Sequence, residues 1–100
     1  MITKISNDDF SAVKASKLAI VDFNATWCGP CKMLAPTIAK IAEEKVGSVK
    51  VCKLDVDEEP EIAAQYGISS IPTLKVFVNG EVVRSSVGVQ PKSAIEWMLP

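Results

Sequence analysis

Hydrophobic and polar positions alternate between two periods along the chain, and the switches between them divide it into nine elements. Ile2 to Ile5 is a short apolar start that predicts a strand, and Ser6-Asn7-Asp8-Asp9 carries an acid three residues after Ser6, the pattern of a helix start. Phe10 and Val13 give that first helix one apolar side as far as about Ser16. Leu18-Ala19-Ile20-Val21-Asp22-Phe23 is an almost unbroken apolar run with β-branched residues, predicting a strand covered on both faces, with a single acid inside it.

Met33, Leu34, Ile38, Ile41 and Ala42 then recur at helical spacing as far as Val46, with Gly47 as the stop. Pro36 lies inside this longest helix, where a missing amide and the ring predict a bend. Val49 to Val56 predicts a second buried strand, and Glu59-Pro60 opens a short helix that Gly67 closes. Asn79-Gly80 between Thr73–Val78 and Glu81–Val87 is a strong hairpin signal, and Pro91 to Leu99 completes the chain as a short helix. The order β-α-β-α-β-α-β-β-α predicts an α/β fold, a central mixed five-stranded sheet with four helices on both faces, parallel in its first half and ending in a hairpin.

With 100 residues and no linker or repeat, residues 1–100 form one domain that must carry the whole function. A net charge of -1 without basic or acidic runs gives no sign of nucleic acid as a partner. No apolar run is long enough for a bilayer, and Met1-Ile2-Thr3-Lys4 lacks the start of a secretory signal, so the cytoplasm is the expected compartment. The absence of histidine excludes Cys-His hydrolytic chemistry and any His-containing metal site.

Three cysteines are too few for a disulfide scaffold. Cys28 and Cys31 fall where a buried strand gives way to the longest helix, the context in which a C-x-x-C pair is a redox site. Residues three apart on a helix face the same way, so the two sulfurs can close and open a disulfide with little backbone movement. The amino end of the helix favours negative charge, which makes Cys28, there and nearer solvent, the better nucleophile. Pro30 suits a first helical turn, and Gly29 allows a sharp turn and the close approach of another backbone. A zinc half-site would need ligands the chain scarcely offers, and inert core cysteines would not be separated by Gly-Pro.

Asp22, on an otherwise apolar strand, should have a raised pKa unless it sits at a solvated strand end. Taken alone, Lys53 is a plain exposed strand residue, Trp27 a half-buried aromatic, Pro72 a trans proline, and Cys52 a small hydrophobe on a buried strand.

Val21-Asp22-Phe23-Asn24-Ala25-Thr26-Trp27-Cys28-Gly29-Pro30-Cys31-Lys32 closely resembles the thioredoxin family, as do Lys53-Leu54-Asp55-Val56-Asp57, Tyr66-Gly67-Ile68, Ile71-Pro72-Thr73 and Asn79-Gly80. The resemblance spans essentially the whole chain. It implies the thioredoxin fold and a protein-disulfide reductase that cycles Cys28 and Cys31, with Gly29 and Pro30 setting the reducing character. It also implies that Asp22 takes the proton of Cys31, with Lys53 modulating it. The matching proline in the family is cis, so Pro72 should pack against the cysteines and leave Ile71 free to pair with an extended substrate. Trp27, Gly29, Pro30, Ile71 and Gly88 would form the apolar docking surface.

By the same resemblance the chain is a monomer that holds no cofactor or metal. Its partners are disulfide-containing proteins and thioredoxin reductase, which draws on NADPH and a flavin. Asn24 departs from the family, where an aromatic residue is common, and the last helix is short, so a few carboxy-terminal residues are missing or naturally absent. The competing reading is a binding module with incidental cysteines.

Overall fold

A computed structural model describes residues 1–100. The elements are β1 (Ile2–Lys4), α1 (Ser11–Lys14), β2 (Leu18–Asn24), α2 (Gly29–Glu44), β3 (Lys50–Asp55), α3 (Pro60–Gln65), β4 (Thr73–Val78), β5 (Glu81–Val87) and α4 (Lys92–Met98). The strands form one sheet in the order β1-β3-β2-β4-β5. β3 runs parallel to both β1 and β2, while β4 is antiparallel to β2 and β5. This is the mixed five-stranded sheet that the element order predicts.

β2 is central because nearly all its side chains are apolar and the two faces of the sheet need different partners. Ala19, Val21 and Phe23 join Phe10, Val13, Ile62, Ala63 and Phe77 in one cluster beneath α1 and α3. Ile20 joins Leu34, Ile38, Ile41, Leu74, Val76 and Ile95 in a second cluster beneath α2 and α4. The period-two alternation of a strand therefore places Asp22 and Asn24 on the Ile20 face, toward α2. Fully burying a side chain such as Leu34 or Ile41 stabilises the fold by roughly 1.5–3 kcal/mol, and Lys92–Glu44 and Lys45–Glu96 ion pairs bridge α2 and α4 across the edge.

The hairpin has the predicted bounds. Asn79 and Gly80 both take left-handed φ (51° and 84°), as a two-residue turn between twisted strands requires. A Cβ on Gly80 would lie 3.2 Å from the Lys14 carbonyl oxygen, so glycine also lets this turn close onto α1.

Two sequence expectations change. α1 begins at Ser11, not at Ser6–Asp9. Asn7 and Asp8 take left-handed φ and break the turn, and it is Asp9 Oδ1 that accepts the Ser11 amide, at 2.9 Å. α2 ends at Glu44 with Lys45 as its cap, two residues short of Val46, and Gly47 (φ 85°) follows. The helix continues through Pro36, whose ring nitrogen has no hydrogen to donate to the Lys32 carbonyl one turn earlier, the condition from which the bend is expected.

Candidate active site

The redox pair stands where β2 hands the chain to α2. Cys28 is the N-cap of α2, with extended backbone, and Gly29 and Pro30 form its first turn. Cys28 and Cys31 are joined as a disulfide with Cα atoms 5.2 Å apart. The Cys31 amide donates to Cys28 Sγ at 3.2 Å, so one of the orphan amides at the start of the helix points at this sulfur. When the disulfide opens, that amide and the helix dipole favour a thiolate at Cys28.

Exposure does not separate the two cysteines. Cys28 and Cys31 are 4% and 5% exposed, so Cys28 is not the one nearer solvent. What distinguishes Cys28 is the cap position and its neighbour across the site, the Ile71 carbonyl oxygen 3.9 Å from Sγ. Glycine at position 29 is likewise not required by the turn, because its φ is negative and an added Cβ would meet nothing within 4 Å. A bare backbone there instead leaves room beside the disulfide.

Ile71–Pro72 is a cis peptide beside the pair, in accord with the resemblance and against the trans reading of the sequence alone. Gly88, at φ 91°, donates its amide to the Pro72 carbonyl at 2.8 Å and so ties the end of β5 to this loop. Neither the amide nor the carbonyl of Ile71 takes part in a backbone hydrogen bond. Ala25, Cys28 and Cys31 form a small buried cluster against which Ile71 and Val56 pack.

Trp27 projects from the same rim and is 69% exposed, so it is a surface aromatic and not a core one. Its indole Nε1 donates to Asp57 Oδ2 at 2.7 Å. Sequence context does not mark Asp57 as a partner of Trp27, because it sits 30 residues away on a polar loop. That loop is itself ordered by Asp55, whose Oδ1 accepts the amides of Asp57 and Glu58 at 2.8 and 3.2 Å.

Behind the disulfide lies Asp22, 5% exposed. Its backbone pairs with Lys53 on β3 and Leu74 on β4. Burial lifts its carboxyl from 3.8 to about 6, against the opposing pull of the Asn24 amide and the Lys53 ammonium. The carboxyl is not at a solvated strand end; Oδ1 is buried without a hydrogen-bond partner. Asp22, Cys31 and Lys53 line one cleft of about 560 Å³, together with Asn24, Thr26 and Lys32. The cleft thus brings the acid and Cys31 together from two elements.

Cys52 lies on the opposite face of the sheet, fully buried among Val21, Phe23 and Leu54. Burial raises its pKa, and the sheet separates it from the disulfide. No group of three or more Cys, Asp or Glu side chains is placed to hold a metal ion.

The family model described as thioredoxin matches residues 1–99. A thioredoxin of Staphylococcus epidermidis is 48% identical over 98 residues, 98% of this chain and 94% of that protein. One from Bacillus subtilis is 46% identical over 95 residues, covering 95% and 91%. Among solved structures, a mutant thioredoxin from Halobacterium salinarum aligns at a TM-score of 0.89 and 34% identity, over 98% of this chain and 87% of that one. With the cysteine pair at disulfide distance on the matching fold, the chain belongs to the thioredoxin family and is a protein thiol-disulfide oxidoreductase.

Proposed function

We propose that each site residue has a distinct part in a two-step exchange. The Cys28 thiolate attacks one sulfur of a target disulfide, forming a mixed disulfide and releasing the other target sulfur as a thiolate. Cys31 gives its proton to Asp22 and its thiolate attacks Cys28 Sγ. The second target sulfur leaves, so two electrons have passed to the target and Cys28–Cys31 is oxidised. Lys53 tunes Asp22, and Gly29 and Pro30 hold the pair in the first turn of α2.

Docking is carried by the Ile71 backbone. Its unpaired amide and carbonyl, next to Cys28 Sγ, are the observation that supports strand-like pairing with an extended target segment. Trp27, Ile71, Pro72 and Gly88 frame the approach. A surface that reads backbone rather than side chains suits many targets, and a separate reductase drawing on NADPH through a flavin would return the electrons. We place a monomer of this kind in the cytoplasm, where thiols are kept reduced.

Two measurements test this reading. A Cys31→Ser protein should accumulate mixed disulfides with targets, seen as adducts lost on adding dithiothreitol, whereas Cys28→Ser should form none and reduce no insulin. Disulfide peptides N-methylated at the amide facing the Ile71 carbonyl should react about fivefold more slowly, the worth of one hydrogen bond of about 1 kcal/mol. Equal rates for methylated and unmethylated peptides at every position would remove Ile71 from the docking scheme.

A further inference from the structure

The cleft behind the disulfide contains polar side chains that the exchange scheme leaves unused, namely Asn24, Thr26 and Lys32, and Asn24 is the one tied to Asp22 itself. Asn24 ends β2, two residues after Asp22 and therefore on the same face of the sheet. Its Nδ2 donates to the Asp22 carbonyl oxygen at 3.2 Å, which turns the amide back along the strand. Asn24 also lines the cleft with Asp22 and Cys31, where a larger side chain would take up part of the space.

The surroundings of Asp22 offer few other polar contacts. Lys53 is its register partner on β3 and the apolar Leu74 its partner on β4, and the cleft it lines is shared with Cys31 and Lys32 of α2 and with Thr26 before the helix. Asp55, the register partner of Asn24, has its Oδ1 engaged by the amides of its own loop. Asp22 Oδ1 has no hydrogen-bond donor, although it is buried. The Asn24 amide, held on the Asp22 backbone and lining the same cleft, is thus a polar group placed to influence this carboxyl beside the Lys53 ammonium.

We propose that Asn24 is a positioning residue for the resolving step: held on the Asp22 backbone, it keeps polar and open the cleft by which the Asp22 carboxyl exchanges protons with solvent. The inference rests on Asp22 as proton acceptor. The amide favours the ionised form of Asp22, and burial opposes it. Replacing Asn24 by an apolar side chain removes the first influence and strengthens the second. Both changes raise the carboxyl pKa, so less Asp22 is ionised at mildly acid pH and Cys31 is deprotonated more slowly there.

The experiment compares Asn24→Leu, which is similar in size and lacks the amide, Asn24→Phe, which fills the cleft, and Asn24→Ser, which is small and polar. Mixed disulfides are preformed between Cys28 and 2-nitro-5-thiobenzoate, and their resolution by Cys31 is followed by release of the coloured thiolate from about pH 5 to 8. The Asp22 carboxyl is titrated by carbon NMR in the oxidised proteins. Asn24→Leu and Asn24→Phe should move both midpoints upward and slow resolution about three- to tenfold near pH 5.5, corresponding to about half to one pH unit.

Asn24→Ser should recover most of the parental profile, and the initial attack by Cys28, read from Trp27 fluorescence, should change less than about twofold. On an Asp22→Asn background, Asn24→Leu should have no further effect. Unmoved midpoints in Asn24→Leu, with Asp22→Asn still slowing resolution, would overturn the role of Asn24 alone. A parental profile in Asp22→Asn would overturn the role of Asp22 as acceptor, whatever the NMR titrations of the Asn24 variants report.

Discussion

Replacing Asp22 by Asn should stabilise the oxidised protein at neutral pH and leave it nearly unchanged in acid. In the folded protein the carboxyl titrates at about 6, against 3.8 for an unburied one. Below about pH 4 the group is protonated whether the chain is folded or not, and its burial is least costly. Between about pH 4 and 6 the unfolded chain releases this proton and the folded chain retains it, so each pH unit favours unfolding by about 1.4 kcal/mol. Above about pH 6 both states are ionised and the loss is complete at about 3 kcal/mol, the product of that slope and a displacement of about two pH units.

The Asn variant lacks this titration. Its amide has its own burial cost, but one independent of pH, so the informative quantity is how the stability difference between variant and parent changes between about pH 3.5 and pH 8. Urea unfolding with the disulfide intact should show that difference growing by about 3 kcal/mol in favour of Asn, mostly between about pH 4 and 6, at unchanged m-value. For a domain of this size, the same gain is a rise of roughly 10–20 °C in Tm at neutral pH. A change of less than about 1 kcal/mol, or one centred below about pH 4, would refute the buried, unpartnered carboxyl as its source.

Two further substitutions examine the rim and the far side of the sheet. Asp57→Ala removes the acceptor of the Trp27 indole, 2.7 Å away, and should raise KM for insulin about two- to tenfold with kcat nearly unchanged, the range expected for about 0.5–1.5 kcal/mol of binding; an unaltered KM would mean that Trp27 needs no anchor. At Cys52, packed with Val21 and Phe23, Ala should retain disulfide-reductase activity, while Ser places a hydroxyl in that cluster and should lower unfolding stability by about 1–3 kcal/mol; loss of activity in Cys52→Ala would assign that thiol a part in the exchange.

The parts of this structure that could be read from the sequence are those fixed by local chemistry. Asn79-Gly80 sets the hairpin because few other residue pairs accept its left-handed angles, and both strand ends follow from it. The cysteine spacing and the Gly-Pro between place the redox pair on a first helical turn. The start of α1 is not legible in this way, because a capping pattern at Ser6 competes with Asp9 and the backbone at Asn7 and Asp8 decides between them. The indole–carboxylate contact of Trp27 and Asp57 joins two loops through the tertiary fold and leaves no periodic trace. The cis peptide at Pro72 was legible only through family resemblance, since an isolated X-Pro bond favours trans.

The proposed role of Asp22 as acceptor of the Cys31 proton would explain why a fold retains a destabilising group at its centre. The desolvation that takes about 3 kcal/mol from folding raises the proton affinity of the carboxylate by the same amount, because both are the one displacement from 3.8 to about 6. An ordinary carboxylate is far too weak a base to draw a proton from a thiol near 8.5; this one is about a hundredfold stronger and still about nine-tenths ionised at pH 7. Base strength at Cys31 and lost stability therefore cannot be separated by moving solvent toward or away from Asp22. The fold compensates elsewhere: β2 flanks the acid with Val21 and Phe23 in one apolar cluster and Ile20 in the other, all essentially inaccessible to solvent. Three such side chains, at roughly 1.5–3 kcal/mol each, outweigh the one acid between them, which is why the strand can carry that acid at the centre of the sheet.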